Sequence, residues 1–416
     1  MSRLIPPRPL VALYLSTAHV SLACAFFVTA WNPWAVAGFF YHARIVAIVH
    51  LVTIGWIAMS ILGSVYVVLP LACGQAFPAR RGDYAAYGLV VVGLVGMVAH
   101  FWIAEFSGMA WSAGTAAAGI LYVVLRAAFA VRRANVAGAV KLHLYFAAVN
   151  LAGAVTLGVL LGFDKAHSFL PGYVLSNVFA HAHLAAVGWV CMTMMAFAYR
   201  LLPMVLPAAM PSGRSLFASA MLLEIGMVGL FVSLVSRSAA TLPFALVIVA
   251  AFAAFAGHVI WMLEHPRRPP HARTRSDFAV HHLGAAGACL LFACVCGVML
   301  AALPVSESTL RVALLYGVLG LVGFLAQAIV GFERRIVPIA SSCWALQRTG
   351  GVAAPARRPP VAPAWIFLAW LCGVPLIAAG LFVTSATTLA SGAWLMFAGT
   401  LLMSVNLAVS LSGRLT

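Results

Sequence analysis

Twelve apolar runs, each long enough to cross a bilayer, leave this chain little freedom in what it can fold into. They cover residues 9–31, 43–70, 85–104, 111–131, 139–163, 173–204, 214–236, 241–263, 278–302, 310–338, 364–384 and 390–412. A spanning helix needs about 20 predominantly apolar residues. None of the runs alternates apolar and polar residues as a barrel strand does, so the backbone has to satisfy itself within helices. Overall 64% of the residues are apolar and only 8% charged, too few charges to cover a soluble domain. The expected fold is all-α: a polytopic membrane protein of about twelve transmembrane helices, with residues 1–416 forming a single membrane domain.

The net charge of +16 would suit a nucleic-acid partner if it were clustered, but its placement follows the membrane instead. With the N-terminus inside, the outer loops hold only Arg44, Lys165, Arg237 and Arg311. The remaining cations, from Arg3 and Arg8 through Arg80, Arg81, Arg132 and Arg133 to Arg414, fall on the cytoplasmic side. This is the positive-inside bias. It predicts a bacterial-type inner membrane, both termini in the cytoplasm, the lipid bilayer as partner and no nucleic acid. The first run lacks a small-residue cleavage site and reads as a retained helix. The eight cysteines are scattered, most of them within the runs, and behave as small hydrophobes.

The second and sixth runs repeat each other at an offset of 133 residues. His50-Leu51, Gly55-Trp56, Met59, Tyr66 and Leu69-Pro70 match His183-Leu184, Gly188-Trp189, Met192, Tyr199 and Leu202-Pro203. A fainter copy in the tenth run keeps Gly323, Phe324 and Pro338 but has Val318 at the histidine position. The chain therefore reads as three pseudo-symmetric four-helix units, at about 9–131, 139–263 and 278–412. On a uniform α-helical wheel the Gly, Met, Tyr and Pro form a stripe about 140–200° away from the histidine. A small residue on such a stripe lets helices approach closely. The third copy keeps the Gly and Pro of that stripe, with Arg334 at the tyrosine position, but drops the histidine.

Most of the thirteen histidines lie inside runs. Ionisable groups at membrane depth point to function by default. A neutral imidazole inside the bilayer can instead simply bond a neighbouring carbonyl, which is the plainer alternative for any single one. His50, His181, His183 and His100 fall in an outer layer, and His19 lies mid-helix. His143, His258, His281 and His282 fall in a layer nearer the cytoplasm, whereas His42 and His167 read as loop residues. His265 and His271 sit in an Arg/Pro-rich loop. Imidazole suits haem iron, copper, zinc or nickel. Histidines on separate helices amid Phe, Leu and Met favour haem, with Arg44 placed to pair with propionates. His181 and His183 project about 200° apart, so they cannot share one metal. Candidate metal ligands are thus His50, His183, His143, His281 and His282. Glu224, mid-run, is read either as a proton relay or as a protonated carboxyl bonded to a neighbouring helix. Glu333 with Arg334 and Arg335 reads as an interfacial ion-pair cluster.

Twelve helices, threefold units and histidines on the second and sixth helices resemble subunit I of the haem-copper oxidases and nitric oxide reductases. The closest likeness is to short, divergent members tied to nitric oxide response. The resemblance implies haem b and copper as cofactors, His50 as a low-spin haem ligand, and His183 or His181 at the copper position. It departs from the family in three places. The tenth helix carries no histidine, the sixth lacks the His-Pro-Glu-x-Tyr pattern, and paired histidines occur only on the ninth. The ligand set implied is His50 with His183, without a complete standard binuclear centre.

The function expected is electron transfer or nitric oxide or oxygen chemistry at haem, with quinol or cytochrome c as electron donor. Two other classes compete: a proton-coupled secondary transporter, and a non-catalytic haem or copper handling or sensing protein. A transporter predicts helices broken near mid-membrane, whereas here the prolines cluster at the ends of the runs.

Overall fold

The computed structural model describes residues 4–36, 41–267, 277–349 and 360–412. His271 and Arg3, Arg268, Arg273, Arg275, Arg357, Arg358 and Arg414 lie outside the described residues. The chain is all-helical, with 12 helices long and apolar enough to cross a membrane among the described residues. In order they are α1 (Arg8–Trp31), α2 (Ala43–Leu71), α3 (Arg81–Trp102), α4 (Phe106–Val131), α5 (Gly138–His167) and α6 (Val174–Val205). The second half continues with α7 (Ser215–Ser236), α8 (Thr241–Glu264), α9 (Phe278–Ala302), α10 (Glu307–Arg348), α11 (Pro363–Phe382) and α12 (Ala386–Ser412).

Local chemistry sets several of the helix ends. Glu105 opens α4 by accepting bonds from the backbone N–H of Ser107 (3.1 Å) and Gly108 (2.7 Å). Ser306 opens α10 with a capping box: its hydroxyl accepts from Thr309 N–H while its own N–H donates to Thr309 Oγ1. Two expectations about ends need correcting. His167 is the last residue of α5 and not a loop residue, whereas His42 does precede α2, as the N-cap that accepts the Arg44 N–H at 3.3 Å. The tenth helix does not stop at Pro338 but runs through it to Arg348.

The fold divides into two compact units. The first holds α1, α2, most of α9, and α10 to α12. The second holds most of α3 and all of α4 to α8. In the first, α1 packs against α2 and α12, and α11 pairs with α12. In the second, α5 packs against α4, α6 and α7, and α7 pairs with α8.

The three motif-bearing helices share an irregularity that the sequence does not announce. Each contains a π-helical segment: Leu51–Ala58 in α2, Leu184–Cys191 in α6 and Val318–Ala326 in α10. A π turn carries about one residue more than an α turn, and such bulges concentrate at functional sites. The uniform wheel therefore misplaces the motif's stripe relative to its histidine by roughly one residue's rotation, about 100°. The glycine's role as a close-approach position holds nonetheless. A Cβ on Gly188 would meet Asn150 of α5 at 2.8 Å, and one on Gly323 would meet Cys289 Sγ of α9 at 2.7 Å.

Candidate functional site

His50 and His183 occupy the same local geometry. Each is the last α-helical residue before a π segment. Each ring donates its Nδ1–H to the carbonyl one turn earlier, His50 to Val46 and His183 to Phe179, both at 2.7 Å. With Nδ1 so committed, the lone pair sits on Nε2. That is the arrangement a metal-ligating imidazole needs, because the second nitrogen's bond fixes both tautomer and ring orientation. The third copy has Val318 as the first residue of its π segment and so has no equivalent ring.

The neighbouring His181 is held differently. Its Nδ1–H donates across to Ala154 of α5 at 2.9 Å. The ring lies over Gly158, where a Cβ would come within 2.7 Å of its Cε1. The two imidazoles of His181-Ala-His183 are thus anchored to different helices. Both keep some accessible surface, although α6 is the most enclosed of the spans, with 83% of its apolar window buried. Arg44 is exposed in the first turn of α2, six residues before His50.

The remaining candidates disperse. His143 is fully buried in the second unit, with its Nδ1–H on the Ala139 carbonyl at 2.8 Å and its Nε2 3.4 Å from Ser219 Oγ. Ser219 continues to Tyr199 (3.0 Å), and the Tyr199 hydroxyl meets His258 Nδ1 at 2.8 Å. His143 therefore belongs to a hydrogen-bonded chain across α5, α6, α7 and α8. Glu224 accepts from Asn150 Nδ2 at 2.7 Å, so its partner is a neighbouring helix rather than a histidine. In the first unit, His281 is exposed beside Phe278 and Phe367. His282 is fully buried, edge-on to Phe367 and Trp370. Neither of its ring nitrogens has a hydrogen-bond partner among the described residues.

Two groupings escaped the sequence reading. One is the Tyr199–Ser219–His258 chain, whose signal was the tyrosine shared by both motifs. The other joins His19 of α1 to Glu333 of α10 and Ser404 of α12. Residues so far apart in the chain carry no spacing signal.

The donor set can be tested against the two expected cofactors. Haem iron can be held by an oriented neutral imidazole, and His50 and His183 would each offer one. Copper in a three-ligand site is not matched, since no group of three His, Cys, Asp or Glu residues that could hold a metal occurs among the described residues.

No model of a known protein family matches the chain, and no curated protein matches it. Among solved structures it is similar to a chain of a haem-copper terminal oxidase dimer determined by cryo-EM. The TM-score is 0.60 at 10% sequence identity, over 97% of this chain and 83% of that one. The likeness is one of fold.

Proposed function

We propose that this multi-pass membrane protein is a haem protein related to the haem-copper oxidases, in which His50 and His183 are each a residue that would hold haem iron through Nε2. The observation that carries the proposal is the matched pair of Nδ1–H bonds to Val46 and Phe179, each at the start of a π segment. The oxidase-like fold supports it. Bound haem would supply reversible one-electron chemistry and an affinity for diatomic gases such as nitric oxide or oxygen.

The chain's own residues hold and orient the group. The Val46 and Phe179 carbonyls keep each imidazole in the tautomer whose Nε2 can ligate. Gly158 leaves room for the His181 ring beside His183. Arg44, on the helix of His50, supplies a cation for a propionate. The orientation proposed from the charge bias puts both termini in the cytoplasm. A quinol or a cytochrome c is the class of electron donor that suits such a protein.

Absorption spectra of the purified protein test this reading. A bound b-type haem is expected, with sharp reduced bands that are lost or broadened in His50→Ala and in His183→Ala. A folded protein that stays colourless after haem is supplied would overturn the proposal and favour the transporter reading.

A further inference from the structure

The first unit contains a polar set that the haem reading does not use. His19 is 3% exposed and bonded on both sides. Its Nδ1 lies 3.0 Å from Ser404 Oγ, and its Nε2 lies 2.9 Å from Glu333 Oε1. Ser404 Oγ also reaches the Thr400 carbonyl at 2.8 Å. The Trp56 ring stands against His19 at 5.2 Å and 73°, closing another side. Glu333 Oε2 is buried with no hydrogen-bond partner among the described residues.

The donors and acceptors can be counted. The Ser404 hydroxyl has one hydrogen and two acceptors within reach, the Thr400 carbonyl and His19 Nδ1. A hydroxyl hydrogen rotates to suit its neighbours. When it points at Nδ1, His19 is neutral, its Nε2–H donates to the Glu333 carboxylate, and the set carries one negative charge. When it points at Thr400, Nδ1 carries its own proton and donates to Ser404 Oγ. His19 is then an imidazolium paired with Glu333, and the set is neutral. The two arrangements differ by one proton, and no heavy atom has to move between them.

We infer that His19, Glu333 and Ser404 form an intramembrane proton-binding site, with Ser404 as the rotor that lets His19 take up and release a proton. The bound proton neutralises a carboxylate that is otherwise costly to bury. The arrangement is not a nucleophile site. Ser404 is half-buried and bonded to its own helix through the Thr400 carbonyl.

The other charged or titratable groups on the surrounding helices are few. Tyr14 of α1 stacks with Tyr66 of α2, α2 also carries Arg44 and His50 in its first turns, and Arg8 of α1 bonds the Leu411 carbonyl. Arg334 and Arg335 follow Glu333 on α10, with Arg335 paired to Asp277. The α12 segment contains no titratable residue.

The test is ¹⁵N solid-state NMR of histidine-labelled full-length protein in bilayers, with the His19 signals assigned by their loss in His19→Gln. Across a pH series His19 is expected to show both states, neutral with Nε2–H and doubly protonated. Glu333→Gln should abolish the doubly protonated state, and Ser404→Ala should restrict His19 to one state. Ser404→Thr, which keeps the hydroxyl, should preserve both. A His19 signal locked in one state across the range, or one unchanged in both Glu333→Gln and Ser404→Ala, would overturn the inference. Neither readout depends on haem, so a colourless protein would leave this test intact.

Discussion

Asn150 donates its side-chain amide to Glu224 at 2.7 Å, and the same Asn150 side chain fills the space over Gly188. One residue thus serves both a buried hydrogen bond and the close approach of α5 to the repeated motif of α6.

Replacing Glu224 separates charge from hydrogen bonding. Glu224→Gln keeps an acceptor for Asn150 and should cost little stability. Glu224→Leu strands the amide and should cost about 1–3 kcal/mol. Unfolding in mixed micelles measures both, and equal losses would show that the bond contributes nothing.

Gly188→Ala places a methyl 2.8 Å from Asn150 Cβ and Cγ. Asn150 lies between packed helices and has little room to retreat, so overpacking of about 1–3 kcal/mol is expected. Gly188→Ala combined with Asn150→Ala should recover part of that loss. A double variant no more stable than Gly188→Ala alone would place the clash elsewhere.

Gly158→Ala acts on His181, whose Cε1 lies 2.7 Å from the added carbon. The ring has to swing, which breaks its bond to the Ala154 carbonyl. The expected outcome is a changed His181 environment in histidine ring spectra, with the His50 signals unaltered. An unperturbed His181 would mean that the helices, and not the ring, absorb the methyl.

Tyr199→Phe removes the hydroxyl linking Ser219 to His258. Tyr199 is fully buried, so each partner left unsatisfied should cost about 1–3 kcal/mol. A double-mutant cycle of Tyr199→Phe with His258→Ala should give a coupling of about 0.5–3 kcal/mol. Additive losses would show that the 2.8 Å contact carries no energy.

Length and hydropathy made the twelve helices legible, because spanning segments are set by bilayer thickness and little else. The α10 end was not legible. Proline removes an N–H and crowds the preceding turn, so Pro338 reads as a terminus. The helix continues because its last turns are held from outside. Trp344 Nε1–H donates to the Pro6 carbonyl at 2.9 Å, and Ser341 donates to the Ser410 carbonyl at 2.8 Å. Within the candidate site, His50 and His183 could be picked out because their motif repeats. Glu333 looks like part of an interfacial ion-pair cluster because two arginines follow it. Asp277 pairs with Arg335, which leaves Glu333 to meet His19. Contacts between residues hundreds of positions apart leave no periodic trace in a chain so uniformly apolar.

The π segments make the motif helices sensitive to length in a way ordinary spans are not. Each works as a phase shifter, setting the angle between the part of the helix before it and the part after it. Deleting one residue from Leu184–Cys191 would let α6 relax to regular α winding and turn His183 by about 100° against Tyr199. Every side chain would survive such a deletion, but the histidine would face a different neighbour. The identity of the ligand residue and the direction in which it points are thus encoded separately, the first by one histidine and the second by the residue count of the turn that follows it.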